Sequence, residues 1–366
     1  MGSTLLQTRL TVLREEPFNA GPEVPALVGT FRTPAGQFFV RNHGTIPEID
    51  LTTFRLHVGG SVCRTFEFSL RDLRARFPPH TVTATLQCAG NRRRELAGVR
   101  PIPGELDWGA QAIGNAEWTG VALQDLLVLA TPRRSARHVA FTGLDTATIG
   151  GVTTPFGASI PLRKALAPEA ILAYEMNGDP LPRAHGGPLR AVIPGYIGAR
   201  SVKWLGRVDV LDAPSTNPFQ MQAYRVPVAG SERVSPSASE LNECGVTSAI
   251  CEPAEGQTLT EGRSTVSGYA YAAGSSVDRV EISADGGRTF VSARILDTPA
   301  PWVWSRWRCD VELDPGTREI VARAFDADGV GQPAELADVW NPKGYGNNAW
   351  HRVRVIVLAR RRAANL

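Results

Sequence analysis

The 366-residue chain lacks several patterns that commonly mark a cellular destination or a partner class. No hydrophobic run reaches the length of a membrane span, so we expect no membrane partner. The first residues show no charged start, apolar core and cleavage site, which predicts a cytoplasmic protein, or a periplasmic one if a leader has been removed. The formal net charge is only +3 and the arginines are interspersed with acids, so no nucleic-acid partner is expected.

The chain also lacks the short motifs of several enzyme classes. It has no phosphate-binding loop, no zinc-binding helix, no nucleophile elbow and no dinucleotide fingerprint. Its five cysteines form no Cys-x-x-Cys pair, no haem-attachment motif and no ferredoxin-type series. We therefore expect no disulfide framework, no haem and no second redox centre. The cysteines are Cys63, Cys88, Cys244, Cys251 and Cys309.

The remaining sequence indicates two domains with different patterns of predicted secondary structure. With 43% hydrophobic and 20% charged residues it can bury substantial cores. Before about residue 215, short β-rich runs alternate with helical patches, which predicts a mixed α+β unit. One patch, residues 69–77, places Leu70, Leu73 and Phe77 on one face, and Ser69 can cap its start.

The carboxyl-terminal part predicts an all-β sandwich. Residues 212–243 are rich in Pro, Ser, Asn and Gln, and are expected to form a long connecting loop packed on the surface. Strands then recur at regular spacing, and Asp285-Gly286-Gly287 is a strong hairpin signal because Asp-Gly accepts positive φ at little cost. The predicted strands are 264–270, 277–284, 288–295, 303–313 and 318–325.

The segment of residues 85–95 carries the most chemical information. Cys88 ends an apolar, β-branched run that predicts a buried strand, Gly90 loosens the chain after it, and Arg92, Arg93 and Arg94 follow directly. Guanidinium groups close to a sulfur favour the thiolate, which suits a metal-bound thiolate beside an anion pocket. A purely structural alternative is a small buried cysteine followed by a solvated arginine face.

The wider sequence resembles the sulfite oxidase family of molybdopterin enzymes, in its haem-free plant or bacterial type. The matching segments occur in the order found in the family and extend over nearly the whole chain. They are residues 38–43, 85–95, 141–145, 173–178, 182–190, 198–207, 339–344 and 348–353.

The resemblance implies an architecture and a metal site. We expect an α+β molybdopterin-binding catalytic domain over residues 1–243, including the connecting loop, followed by an immunoglobulin-like dimerisation domain over residues 244–366 that makes a homodimer. Cys88 would be the only protein ligand to molybdenum, and the dithiolene of one molybdopterin would supply two further sulfurs. Soft sulfur donors suit a redox-active metal of this kind.

By the same resemblance, two sets of residues are candidates for the site. The cofactor-binding set includes Cys88 and Arg41, which belong to the catalytic set as well. Its cationic side chains would neutralise the phosphate of the molybdopterin. Its other members are Asn42, His43, Asp145, His185, Arg190, Ser201, Val202 and Lys203. The catalytic set beside Cys88 would hold a small oxyanion between fixed donors. Its members are Arg41, Arg93, Trp108, Tyr224 and Lys343.

The expected reaction is oxidation of sulfite, or a similar small oxyanion, to sulfate by oxygen-atom transfer at the molybdenum. Electrons would pass to an external acceptor, either a small cytochrome or dioxygen. Lys343 departs from the family, in which animal and plant sulfite oxidases carry Arg at this place. Lysine keeps the charge but loses the planar fork, so we expect substrate to be oriented more loosely.

Three alternatives remain open on the sequence alone. A nitrate reductase of the same superfamily shares the segment around Cys88, although Tyr224 and Lys343 favour sulfite. An S-oxide reductase usually lacks the appended β domain. A non-catalytic anion-binding protein would use the arginines as a basic face and would contain no molybdenum.

Overall fold

The computed structural model describes residues 10–226 and 239–360, and strands predominate over helices in it. None of the helices in these two ranges combines the length and apolar character needed to cross a membrane. The strands are β1 (Thr11–Arg14), β2 (Asn19–Gly21), β3 (Leu56–Gly60), β4 (Phe66–Phe68), β5 (His80–Gln87), β6 (Ile113–Ala122), β7 (His138–Ile149), β8 (Val152–Pro161), β9 (Ile171–Met176), β10 (Asp179–Pro180), β11 (Arg190–Val192), β12 (Leu205–Leu211), β13 (Arg225–Val226), β14 (Ser239–Glu240), β15 (Thr247–Glu252), β16 (Gln257–Thr260), β17 (Gly262–Tyr271), β18 (Val277–Ser283), β19 (Val291–Ser292), β20 (Arg294–Ile295), β21 (Ser305–Leu313), β22 (Glu319–Asp326) and β23 (His351–Leu358). The α-helices are α1 (Leu70–Arg76), α2 (Arg93–Val99), α3 (Leu123–Ala130), α4 (Leu162–Ala165) and α5 (Leu336–Val339).

Two five-stranded sheets form the amino-terminal half. In one, β10, β9, β6 and β5 are neighbours and β11 also pairs with β9. In the other the order is β4-β3-β12-β7-β8, with β12 parallel to β3 and antiparallel to β7. Helix α3 buries Leu123, Leu126, Leu127 and Ala130 in the core between them, as a helix with one apolar face must. This half is the predicted α+β unit.

Helix α1 begins where the sequence predicts. The Asp72 backbone N–H donates to Ser69 Oγ at 3.1 Å, and the Ser69 N–H donates to the Asp72 carboxylate at 2.9 Å. This capping box satisfies two backbone donors that the first turn leaves without a helical partner. Leu73, on the inner face of the helix, is fully buried.

The carboxyl-terminal half is the expected β-sandwich. One sheet has the order β15-β17-β21-β20 and the other β16-β23-β22-β18-β19, with Trp307, Val280 and Ile320 fully buried in the core between them. The predicted hairpin joins β18 and β19, where the Asp285 carboxylate accepts the N–H of Arg288 at 3.0 Å. Positive φ at the two glycines after Asp285 completes the turn.

The single strand predicted over residues 288–295 is wrong. The chain forms β19 against β18 and then β20 against β21, so it passes from one sheet to the other near Ala293. The Ala293 N–H still donates to Val280 O at 2.8 Å. Hydrophobic spacing cannot distinguish one strand from two short ones that change sheets.

The connecting segment, residues 212–243, is more deeply buried than its composition predicts. Its described part contains a π-helical turn at Phe219–Ala223 and the two-stranded sheet of β13 and β14, whereas residues 227–238 lie outside the described ranges. Phe219 and Tyr224 are buried, so the expected surface packing is wrong here. The reason is aromatic packing, because the Phe219 ring lies 4.9 Å from Phe156 and 4.8 Å from His43.

Candidate active site

A cavity that opens to solvent, of about 690 Å³ when the solvent space at its mouth is included, lies beyond the end of β5 beside the Cys88 side chain. It brings together side chains from five segments that are far apart in sequence. Its walls are formed by Phe38, Phe39, Arg41, Asn42, His43, Leu86, Cys88, Ala89, Asp145, Phe156, His185, Arg190, Gly198, Ala199, Ser201, Lys203, Trp204 and Tyr224. Among the cofactor-set candidates, only Val202 is absent from the wall.

Cys88 is buried and its backbone is fixed. Its N–H donates to Ala112 O at 2.9 Å, which continues the pairing of β5 with β6, and the Gly90 N–H approaches Sγ at 3.4 Å. A Cβ at position 90 would lie 2.5 Å from the Arg93 guanidinium, so glycine is required for that close approach. Within the described residues no three His, Cys, Asp or Glu side chains cluster in a way that could hold a metal.

The three arginines after Cys88 lie in three different environments, and only Arg93 belongs to the predicted catalytic set. Arg92 is fully buried at positive φ, pairs with Glu95 at 2.6 Å and donates to Ala349 O of the sandwich at 2.9 Å. Arg94 is exposed and pairs with Asp107 at 2.8 Å. Arg93 is buried behind the cavity wall, because helix α2 begins there and turns successive side chains in different directions.

One wall of the cavity is strongly cationic. Arg190 donates to His185 O at 2.8 Å and to Ser201 O at 2.9 Å, and Lys203 donates to Ala184 O at 2.9 Å while it also contacts Asn42 Oδ1. Burial lowers the pKa of Arg190 to about 9 and that of Lys203 well below its usual range. The lowered pKa values reflect the loss of solvation that burial imposes on the two charged side chains. A bound anion would offset this loss.

Asp145 and His185 complete this wall with a carboxyl group and a neutral imidazole. Burial raises the pKa of Asp145 to about 6, although Lys203 opposes the shift, and lowers the pKa of His185 to about 4. His185 Nε2 lies 2.8 Å from Ala35 O, which assigns its ring proton to that nitrogen. Asp145 Oδ1 is buried without a hydrogen-bond partner among residues 10–226 and 239–360. An unpaired buried carboxylate oxygen of this kind suits a ligand N–H donor.

Ser201 and Val202 support this wall through the backbone. Ser201 Oγ accepts the Ile193 N–H at 3.0 Å, and Val202 O accepts the Ala191 N–H at 2.9 Å. Both residues are buried, and the Val202 side chain belongs to the hydrophobic core. Ser201 lines the cavity, whereas Val202 supports it from the core.

On another wall, His43 joins Arg41 to Tyr224. His43 Nε2 lies 2.7 Å from the Tyr224 hydroxyl, and its Nδ1 lies 3.3 Å from Arg41 Nη2. Burial, with Arg41 and Lys203 nearby, holds the pKa of His43 well below its usual value. Burial also raises the pKa of Tyr224 to about 12. The hydroxyl therefore remains protonated at neutral pH and can donate to an anion.

A second cationic cluster lies behind Tyr224. The Tyr345 ring stacks on Tyr224 at 5.5 Å, and the Arg93 guanidinium lies 5.1 Å from the centre of Tyr345. Arg93 donates to Lys343 O and Leu106 O, both at 2.9 Å. The Lys343 ammonium pairs with Glu105 at 3.2 Å, and Arg93 Nη2 lies 3.6 Å from the same carboxylate.

Trp108 is a fully buried side chain next to these groups. Its ring packs edge-on against Phe39 at 6.3 Å, and its indole N–H has no hydrogen-bond partner in the described part of the chain. Arg93, Trp108 and Lys343 do not line the 690 Å³ cavity itself. The structure thus divides the predicted catalytic set into Arg41 and Tyr224 on the cavity wall and the other three behind it.

Sequence reasoning missed Glu105, Tyr345 and Asn19. Glu105 stands between two of the predicted cations, and Tyr345 supports Tyr224. Asn19 Oδ1 accepts the Asn42 N–H at 2.9 Å and so holds the Arg41-Asn42 segment. Tyr345 lies between Gly344 and Gly346, two residues after Lys343, and this position in the sequence could have indicated a role at the site. No pattern in the sequence marked Glu105 or Asn19.

Two family models together match most of the chain. The model described as an oxidoreductase molybdopterin binding domain matches residues 43–219, and the model described as a Mo-co oxidoreductase dimerisation domain matches residues 238–358. The first spans the residues around the cavity, and the second spans the β-sandwich.

Known relatives and a solved structure agree with these models. The chain is 44% identical to a sulfite oxidase of Gallus gallus over 94% of its own length and 77% of that protein. It is 38% identical to a sulfite oxidase of Arabidopsis thaliana, over 94% of this chain and 93% of the relative. The chain spans 66% of the length of the human mitochondrial sulfite oxidase. The crystal structure of the sulfane dehydrogenase SoxCD from Paracoccus pantotrophus superimposes with a TM-score of 0.81 at 25% identity, over 98% of this chain and 96% of that one.

Proposed function

Because the chain belongs to the sulfite oxidase family of molybdopterin oxidoreductases, we propose that it oxidises sulfite to sulfate at a molybdenum bound by Cys88. The observation that carries this proposal is the Cys88 thiol beside a cavity whose wall combines buried cations with a carboxylate oxygen, Asp145 Oδ1, that has no hydrogen-bond partner in the described part of the chain. When bound, the molybdenum cofactor supplies the oxygen-atom and electron-transfer chemistry.

We assign the cofactor to the cationic wall. Arg190 and Lys203 would neutralise its phosphate, and relief of their unfavourable burial supports this role. Asp145 would accept an N–H of the pterin through its free Oδ1, and His185 would face the ring edge. Asn42, Ser201 and Val202 would contact it through the side-chain amide and the backbone.

We assign the oxyanion to the wall that holds Arg41 and Tyr224. The Arg41 guanidinium supplies fixed positive charge, and the Tyr224 hydroxyl stays protonated and donates a hydrogen bond. Arg93 and Lys343 add positive charge from behind Tyr345, and the free indole N–H of Trp108 is available as a further donor. Burial of Arg93, Trp108 and Tyr224 would keep water away and strengthen their interactions with the anion.

The assembly and the electron acceptor are also proposals. The Mo-co oxidoreductase dimerisation domain supports a homodimer formed through the carboxyl-terminal sandwich. We place the boundary between the two domains at residues 243 and 244. Electrons would leave to an external cytochrome or dioxygen, and the compartment would be cytoplasmic.

The test compares wild type with Cys88→Ser in protein from a host that makes the cofactor. We expect about one molybdenum per wild-type chain, sulfite-dependent reduction of ferricyanide, and loss of that activity in the variant. Nitrate reduction with reduced viologen, in the absence of sulfite turnover, would instead identify a nitrate reductase. Protein without metal or pterin would contradict an enzymatic role.

A further inference from the structure

The contacts of His43 determine which of its ring nitrogens carries the proton. Arg41 Nη2 lies 3.3 Å from His43 Nδ1. A guanidinium group only donates, because it has no acceptor atom and stays protonated. His43 Nδ1 must therefore accept, and in the neutral ring the proton sits on Nε2.

This tautomer determines the direction of the next hydrogen bond. His43 Nε2 lies 2.7 Å from the Tyr224 hydroxyl, so the ring N–H donates to the phenolic oxygen. The hydroxyl proton of Tyr224 cannot point back at His43, and it is left for an acceptor elsewhere in the cavity. A bound oxyanion is such an acceptor.

Aromatic packing fixes the positions of both rings. His43 stacks on Phe156 at 5.1 Å and touches Phe219 at 4.8 Å, while Tyr224 stacks on Tyr345 at 5.5 Å. The ring planes of His43 and Tyr224 are perpendicular, and Nε2 lies 2.7 Å from the phenolic oxygen. Burial, and after it the nearby Arg41 and Lys203, lower the pKa of His43 and so favour the neutral ring on which this geometry depends.

We infer that His43 is a positioning residue, which turns the hydroxyl proton of Tyr224 toward the oxyanion by donating its own Nε2–H to the phenolic oxygen. The inference rests on the proposed function for the identity of the anion as sulfite or sulfate. It gives His43 a role in substrate binding that is separate from contact with the pterin.

A double-mutant cycle tests this relay. The single variants are His43→Leu, which removes the donor, His43→Gln, which keeps an N–H at similar reach, and Tyr224→Phe. Each histidine variant is also combined with Tyr224→Phe. Turnover is normalised to molybdenum content, so loss of cofactor does not count as loss of positioning. Sulfate affinity is measured on the same preparations by calorimetry.

We expect His43→Leu to raise the sulfite KM and the sulfate Kd about tenfold with a smaller change in kcat, and His43→Gln to recover most of the loss. In the Tyr224→Phe background the histidine change should have little further effect. Equal losses in both backgrounds, or unchanged sulfate affinity in His43→Leu, would overturn the relay. Absence of sulfite turnover in wild type would refute the proposed function alone, since sulfate affinity still reports on His43.

A second measurement does not depend on whether the leucine variant folds. Long-range proton–nitrogen correlation spectra of histidine-labelled wild-type protein report the tautomer of each of the six histidines, and His43→Gln assigns the signal. We expect a protonated Nε2 and a bare Nδ1 for His43. A protonated Nδ1, or an imidazolium at neutral pH, would contradict the inference.

Discussion

Glu105 is the carboxylate with which an anion at the proposed substrate site would compete for Lys343 and Arg93, and its neutralisation is predicted to tighten sulfite binding. In the absence of substrate it pairs with the Lys343 ammonium at 3.2 Å and lies 3.6 Å from Arg93 Nη2. Glutamine at this position keeps the shape of the side chain and removes the negative charge. Both cations then become free to attract an oxyanion.

The magnitude follows from how well solvated these pairs are. The Lys343 side chain is 35% exposed, so its pair with Glu105 is worth only about 0.5–1 kcal/mol. Arg93 is buried, but its contact with Glu105 is long, and we assign it a similar value. Together they give about 1–2 kcal/mol, so Glu105→Gln should lower the sulfite KM about 5–30-fold.

The assay is sulfite-dependent ferricyanide reduction at several salt concentrations. The difference between variant and wild type should shrink as ionic strength rises, because salt screens the charges. Glu175→Gln is the matched control, since it removes one charge from an ion pair with Arg74 at 2.8 Å that lies away from the site. An unchanged or higher KM in Glu105→Gln would refute the reasoning, as would an equal decrease in the control.

Three further predictions concern charge and stability. Lys343→Arg should lower the sulfite KM, because a planar fork orients an oxyanion better than an ammonium, and an unchanged or raised KM would remove this residue from the substrate site. Arg92→Leu should cost about 3–5 kcal/mol in urea unfolding, because it removes the fully buried cation that pairs with Glu95 and donates to Ser248 O and Ala349 O, whereas Arg94→Leu on the surface should cost less than about 1 kcal/mol. Similar losses in the two variants would contradict this. Burial raises the pKa of Asp145 from 3.8 to about 6 in the folded state, so its contribution to the stability of cofactor-free protein is full below pH 4 and is lost as pH rises through 6. Relative to Asp145→Asn, the free energy of unfolding of the wild type should therefore fall by about 2–3 kcal/mol between pH 4 and 7. An equal pH dependence in both proteins would contradict the assignment.

Local signals in the sequence predicted much of the fold. The capping box at Ser69 and the turn at Asp285 depend on side chains that satisfy nearby backbone groups, so they can be recognised from a few residues. Strand β5, which ends at Gln87 just before Cys88 and is buried over its last four residues, follows from its run of apolar and β-branched residues. By contrast, the change of sheet near Ala293 depends on which partner strands are available, and that information is not local.

The candidate site was predictable only as a set of residues. The resemblance identified the side chains that line the cavity, but not how each is oriented. Arg92 and Arg93 are adjacent in sequence, yet one reaches into the sandwich and the other supports the site, because the helix starts between them. Glu105 became visible only when the fold brought it against Lys343, which is distant in sequence. The site roles and the domain boundary remain predictions.

The most direct test of the central claim is X-ray absorption at the molybdenum edge, recorded on wild-type protein and on Cys88→Ser. Our account predicts that the wild-type metal has one sulfur ligand more than the metal in the variant, and that sulfite reduces the metal only in the wild type. The same number of sulfur ligands in both proteins would show that Cys88 does not bind the metal and would contradict the account.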